Sequence, residues 1–321
     1  MFRESPREPT RDGVVRAAEK VAAIVQPTPL LPIEVNGVRI HAKCDNLQPI
    51  GAFKIRGAWH RLTDLSPEER AAGVVAVSSG NHAQGVAWAA RELGIEAAIV
   101  MPADAPQVKL DATRALGAEV ILYDRAGGED RDVIANALCD ERGRTLVHAY
   151  ADPWVIEGQG SMGIEIAAQL GRQPSRIVVC CGGGGLAAGL ALSCPDSAIV
   201  PVEPEGWDDM AKSLATGTIQ RVGPNPPKTA CDAIQTPSTA PLNFAVLNGR
   251  SDPGIAVSDA EVRAAQRFAF SRLHVVVEPG GAAALAAALA GKVALDPDTV
   301  VTLTGGNTDP HDFAAVIARD D

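Results

Sequence analysis

The sequence predicts an α/β protein of two lobes, each a mainly parallel sheet flanked by helices. Three observations predict it. Short apolar strands alternate with helical segments between residues 73 and 150, the pattern of a parallel sheet closed by right-handed crossovers. The same alternation resumes beyond Asp152-Pro153. Apolar positions are largely Ala and Val while aromatics are only 4%, which suits helices packed over a buried parallel sheet. Residues 73–150 are therefore expected to form a small, mobile lobe, and 1–72 with 151–321 a larger one that carries the ligand.

Taken in order, residues 13–25 (GVVRAAEKVAAIV) read as an amphipathic helix stopped by Gln26-Pro27-Thr28-Pro29. Two strands, 30–35 and 38–43, flank an Asn36-Gly37 turn. A Pro-Ile-Gly turn at 49–51 then opens a helix from Lys54 to about residue 65. In the small lobe the spacing predicts strands at 74–77, 97–101, 119–123 and 146–148, with helices at 83–93, 107–116 and 129–142. In the large lobe it predicts helices at 156–170, 186–193, 209–215, 259–271 and 281–289. The strands there are 176–181, 198–204, 275–277 and 300–303, and a proline-rich loop breaks the rhythm at 223–228.

The 321 residues are 46% hydrophobic and 21% charged, the balance of an ordinary soluble protein. A net charge of −10 argues against nucleic acid and anionic membrane surfaces as partners. The apolar run 281–290 is too short to span a bilayer. Residues 1–12 are polar with no apolar core, so no secretory signal is expected. The six cysteines show neither CxxC pairing nor regular spacing, which points to reduced, buried thiols in a cytoplasmic protein and against structural zinc.

Four segments carry chemistry. Lys54 sits at a turn-to-helix junction, where backbone dipoles and burial both disfavour an ammonium ion. A lysine with a lowered pKa is what a Schiff base to an aldehyde requires; alone, a lysine flanked by apolar residues is more often a solvated surface side chain whose stem covers a core edge. Gly182-Gly183-Gly184-Gly185 lies between a strand and a helix and reads as a phosphate cradle, or as a tight packing turn. Its spacing is not G-x-G-x-x-G, which disfavours a dinucleotide. Ser78-Ser79-Gly80-Asn81-His82 begins another helix and suits a carboxylate and a ring edge, or is a plain serine cap. Thr304, in Leu303-Thr304-Gly305-Gly306-Asn307, places a hydroxyl at a strand end facing a crevice, or marks an ordinary turn.

Together these segments resemble the serine/threonine dehydratase and serine racemase family of pyridoxal 5′-phosphate enzymes of fold type II. The resemblance rests on GAFKIRGA (51–58), SSGNHAQG (78–85), EGQGS (157–161), GGGGLAAG (182–189), EPGGAAALAA (278–287) and LTGGNTD (303–309), in the family's order and over nearly the whole chain. It implies that Lys54 holds the cofactor aldehyde as a Schiff base and shuttles the α-proton, and that Gly182, Gly183, Gly184 and Gly185 hold its phosphate. Asn81 would bond the ring O3′, Phe53 would pack against the ring, and Thr304 would bond the pyridine nitrogen. Ser78, Ser79, Asn81 and His82 would grip the substrate carboxylate.

The resemblance also implies an activity. A hydroxyl at the pyridine nitrogen leaves the ring less electron-poor than a carboxylate would. Elimination of a β-hydroxyl then outpaces transamination, with the cofactor phosphate as the acid in reach. The expected reaction is deamination of L-threonine or L-serine to the 2-oxo acid and ammonia. Alternatives are racemisation of serine or aspartate with Ser79 as second base, or dehydration of 3-hydroxyaspartate or phenylserine. A catalytically silent cofactor- or metabolite-binding protein is more distant, and nucleotide binding by the glycine loop more distant still.

Glu203, Trp207 (through its carbonyl) and Asp209 are similar to the racemase branch's cation loop for Mg²⁺ or Ca²⁺; the same stretch also reads as a solvated acidic turn capping a helix. A homodimer is implied, since the family is mostly dimeric. The chain departs from the family at Ala52, at Asp232-Ala233 and at Thr304, and Tyr150 and Trp154 lie where they can shape substrate preference. With the chain ending soon after LTGGNTD, no regulatory domain and no isoleucine feedback are expected.

Overall fold

The computed structural model describes residues 7–105 and 107–318; residues 1–6 of the polar N-terminal stretch lie outside the described residues. The chain opens with α1 (Arg11–Ala22), started by Thr10, whose side chain accepts from the Gly13 amide. A hairpin follows, β1 (Leu30–Val35) antiparallel to β2 (Val38–Cys44). Asn36 and Gly37 both take positive φ, 50° and 78°, the two-residue turn whose twist matches its strands. Next come α2 (Lys54–Thr63) and α3 (Pro67–Ala72).

The small sheet is built by β3 (Val74–Val77), α4 (Asn81–Leu93), β4 (Ala97–Pro102), α5 (Gln107–Ala115), β5 (Glu119–Tyr123), α6 (Arg131–Arg142) and β6 (Thr145–Leu146). It is wholly parallel, in the order β5-β4-β3-β6. Its strands are apolar on both faces because both are covered. Val74, Ala76 and Ile99 pack with α2 and α4 through Ala58, Leu62, Ala83 and Val86, while Val75, Ala98 and Val100 meet Ala135 and Leu138 of α6. The α2 helix thus shares a core with this sheet.

The large sheet adds α7 (Pro153–Leu170), β7 (Arg176–Cys180), α8 (Gly185–Ser193), β8 (Ala198–Pro204), α9 (Asp209–Thr216), α10 (Pro241–Leu247) and β9 (Ile255–Val257). After these come α11 (Asp259–Phe268), α12 (Pro279–Leu289), β10 (Thr299–Leu303) and α13 (Pro310–Ile317). Its order is β1-β2-β10-β7-β8-β9, parallel apart from β1. Side chains of β7 alternate: Val178 and Cys180 face the cluster holding α12, whereas Ile177 and Val179 face α8. The alanine-rich run of α12 is buried against the sheet, and no described helix is long and apolar enough to cross a membrane.

One expected strand is absent. Residues 275–277 are irregular, following a π-helical turn (Ala269–Leu273) and His274 at φ 57°. Their carbonyls bond side chains instead of a ladder: Val277 accepts from Gln266 at 2.8 Å and Val276 from Asn46 at 3.0 Å, so these two carbonyls are not left unpaired by burial. The sheet edge is instead β9, which is too short to announce itself. Of three unanticipated helices, α3 carries a readable signal, the Ser66/Glu69 capping box.

Candidate active site

Lys54 is the first residue of α2. Its amine faces a cavity of ≈ 940 Å³ between the two sheets, with Nζ donating to the Ala149 carbonyl at 2.8 Å and lying 5.1 Å from the Phe53 ring centre. The side chain is partly accessible because it faces this cavity, yet protein encloses it, and that desolvation lowers its pKa to about 8. No carboxylate pairs with it among the described residues. Two residues on, Arg56 is fully buried and pins α2: it donates to Asp45 at 2.6 Å and 3.0 Å and to Glu165 at 2.8 Å. Lys43 joins the same cluster through Glu165.

Across the cavity stands the four-glycine loop between β7 and α8. Gly184 has φ +89°, and a Cβ there would meet Met210 at 2.5 Å; one on Gly183 would meet the Tyr150 ring at 2.3 Å. Side chains are therefore excluded, and the backbone itself forms the wall. No hydrogen bond from the amides of Gly182, Gly183 or Gly184 is made among the described residues, although the Gly183 carbonyl is held by Thr239 and Asn243. Open amides at a helix start attract a phosphate.

Ser78, Ser79, Gly80, Asn81 and His82 line the cavity at the start of α4. Ser78 Oγ accepts from the Gly80 amide at 3.1 Å, shaping the loop. The Asn81 amide is oriented from two sides, donating to Glu278 at 2.6 Å and accepting from Asn307 at 2.8 Å. His82 turns its ring inward, Nε2 bonding the Val147 carbonyl at 2.9 Å; burial and nearby Lys54 push its pKa down to about 3. It is a neutral imidazole that donates to that carbonyl. Thr304 follows β10 and also lines the cavity, with Oγ1 3.0 Å from Cys180 Sγ.

Glu203 and Asp209 are both buried, so the solvated form of an acidic turn is ruled out. Glu203 accepts from the amides of Met210 and Ala211 at 3.0 Å and 2.8 Å, capping α9. Asp209 accepts from the Thr239 amide at 2.7 Å, but its other oxygen is buried without a partner. Burial raises both carboxyls, Asp209 to about 6, and Asp209 adds repulsion at Glu203. Two crowded acids with an orphaned oxygen fit a cation, although no cluster of three or more His, Cys, Asp or Glu side chains suited to a metal occurs among the described residues. The Trp207 indole donates to the Pro227 carbonyl at 2.9 Å, which ties this turn to the proline-rich loop.

The cavity gathers Cys180, Glu278, Arg131 and Lys109, which sequence reasoning left without a role, beside Asp232 and Trp154, which it had singled out. Cys180 lies at a strand end before the glycines, where a cysteine signals nothing. Glu278 and Asn307 fall inside conspicuous motifs, yet their contact with Asn81 joins distant segments. Arg131, Lys109 and Asp232 reach the cavity from helices and a turn, with Lys109 and Asp232 paired at 2.7 Å. Trp154 is stacked between Arg7 and Arg61, at 4.5 Å and 4.4 Å.

A family model described as "Pyridoxal-phosphate dependent enzyme" matches residues 21–306. The chain is 37% identical to a serine racemase of Schizosaccharomyces pombe, covering 97% of this chain and 98% of that one. It is 39% identical to an L-threo-3-hydroxyaspartate ammonia-lyase of a Pseudomonas species, covering 95% and 97%. Among solved structures, the serine racemase of maize superposes with a TM-score of 0.89 at 33% identity, covering 96% of this chain and 97% of that one.

Proposed function

The chain belongs to the pyridoxal-phosphate dependent enzyme family, and from that premise we propose that it deaminates a β-hydroxy amino acid, L-threonine or L-serine, to the 2-oxo acid and ammonia, the water lost on elimination being taken up again when the released enamine hydrolyses. The observation that carries this is the enclosed Lys54 amine facing the four-glycine loop across one cavity.

The residues present fit the cofactor. Gly182, Gly183, Gly184 and Gly185 offer amides to its phosphate, Thr304 a hydroxyl to its ring nitrogen, Asn81 an amide to its O3′, and Phe53 a face to its ring. When bound, pyridoxal phosphate supplies an aldehyde that captures the substrate amine and a ring that draws off the electron pair left at Cα. The protein does the rest. Lys54 is a base at the α-proton, because its enclosure makes the neutral amine accessible near pH 8. The loop of Ser78, Ser79, Asn81 and His82 holds the substrate carboxylate at the start of α4, where amides point outward. His82 contributes through its backbone, since its ring is committed to Val147.

Glu203, Asp209 and the Trp207 carbonyl hold Mg²⁺ or Ca²⁺ in this reading, behind the glycine loop rather than at the reacting atoms. Thr239 connects the two sites, its amide on Asp209 and its hydroxyl on the Gly183 carbonyl at 3.1 Å. A homodimer in the cytoplasm completes the proposal, in keeping with six free cysteines; sedimentation tests the dimer.

A second reading, a substrate with a second carboxylate such as 3-hydroxyaspartate, is favoured by Arg131 on the cavity wall, close enough to act on His148 and Tyr150. Racemisation is favoured by Ser79 on the same cavity as Lys54. The deciding experiment is a panel of β-hydroxy amino acids with 2-oxo acid detection and chiral analysis of residual substrate, with and without Mg²⁺. Release of 2-oxo acid from none of them rejects the elimination.

A further inference from the structure

On one wall of the cavity, two side chains from neighbouring strands meet. Cys180 ends β7, Thr304 follows β10, and Sγ lies 3.0 Å from Oγ1. Both residues are buried while lining the cavity that Lys54 faces, and the Lys54 and Cys180 side chains are near enough to influence each other's charge.

The Thr304 backbone is held at both ends. Its amide donates to Gly281 at 3.4 Å and its carbonyl accepts from Phe53 at 3.0 Å. What remains to be decided is the direction of one hydroxyl proton. A thiol and a hydroxyl each carry one proton and each can accept. Given to sulfur, the Thr304 proton is turned away from the cavity. Given a proton by sulfur, Thr304 keeps its own for the cavity. Burial holds the thiol protonated at neutral pH, its pKa pushed up to about 11, so Cys180 always has a proton to give.

We propose that Cys180 is a positioning residue for Thr304: its S–H donates to Oγ1, leaving the Thr304 proton free for the heterocyclic nitrogen of the cofactor. This rests on the pyridoxal-phosphate reading above. Cys180 touches no reacting atom in this arrangement. It acts by biasing one rotor, and so on how strongly the ring attracts electrons.

The test uses the reconstituted holoenzyme of the wild type, Cys180→Ala, Cys180→Ser, Thr304→Val and the Ala/Val double variant. Readouts are the absorption and fluorescence of the bound chromophore, kcat and KM for elimination, and Tm. A net hydrogen bond of ordinary strength predicts that Cys180→Ala shifts the chromophore band and lowers kcat about threefold to tenfold with KM little changed. Cys180→Ser, which retains a donor, keeps the wild-type band. In the Thr304→Val background, Cys180→Ala adds nothing further to band or kcat.

A Cys180→Ala enzyme with lowered Tm but wild-type band and kcat overturns the proposal, as does full additivity in the double variant. A wild-type protein that takes up pyridoxal phosphate while Cys180→Ala matches it in every readout overturns this inference alone. A wild-type protein that forms no chromophore overturns the cofactor reading and this one with it.

Discussion

The amide of Phe53 donates to the carbonyl of Thr304 at 3.0 Å, and the adjoining residues Ala52 and Gly305 form an isolated bridge. The amine-bearing segment is thereby fixed to the end of β10, a strand from the far end of the chain. Lys54 is placed by this seam on one side and by the Arg56–Asp45 pair on the other. Its position is a property of the large sheet, while its helix packs on the small one.

Replacing Lys54 with Ala removes both nucleophile and base. We expect loss of the covalent chromophore and a fall in turnover of about 10²-fold to 10⁴-fold or more. In the wild type, the amine must be neutral to attack an aldehyde, and its pKa lies near 8. Capture of pyridoxal phosphate by the apoprotein should therefore accelerate as pH rises through that value, followed by absorbance.

Gly184→Ala forces a side chain onto φ +89° and into Met210 at 2.5 Å. We expect a loss of about 1–3 kcal/mol in stability and weaker cofactor retention on dialysis. Retention equal to the wild type would remove the loop from the phosphate site.

Glu278 is raised from 4.5 to about 7, chiefly by burial, despite the Asn81 hydrogen bond. The folded protein therefore binds more protons than the unfolded chain between those values. Its contribution to stability is complete below pH 4.5 and lost as pH rises through 7. Relative to Glu278→Gln, the wild-type apoprotein should lose roughly 3 kcal/mol across that window, read from denaturant midpoints at each pH.

Asp209→Asn leaves the Thr239 amide an acceptor but removes the charge a cation needs. In the wild type, Mg²⁺ or Ca²⁺ should raise Tm and lower the midpoint of the Asp209 titration. In the variant that rise should vanish, and equal thermal shifts in both proteins would reject the site.

Arg56→Ala leaves Asp45 charged and buried without its main partner. The expected cost is about 3–5 kcal/mol, measured by urea unfolding. Because α2 begins with Lys54, the surviving folded fraction should also show slower cofactor capture.

Much of the architecture was legible in the sequence because local periodicity carried it. Buried β3 and β4 are continuous apolar runs, β1–β2 turns at Asn-Gly, and the helices are spaced for parallel crossovers. Residues 275–277 misled because three apolar residues look alike in a strand or in a buried loop. Only tertiary partners, Gln266 and Asn46, decide how their carbonyls are satisfied. The Ser66/Glu69 box shows the opposite case, a local signal that was readable and went unused.

What the sequence determined by itself was the set of chemical parts: a lysine at a helix start, a run of glycines after a strand, a hydroxyl at a strand end, and two acids at the approach to α9. What only the tertiary structure decided was their environment. The lowered lysine, the raised Glu278, the Asn81 contacts and the Cys180–Thr304 pair all depend on desolvation and on side chains converging from distant segments. Residue type and spacing are local and are written in order along the chain. Burial and long-range hydrogen bonds come into being only when two sheets close around a common cavity.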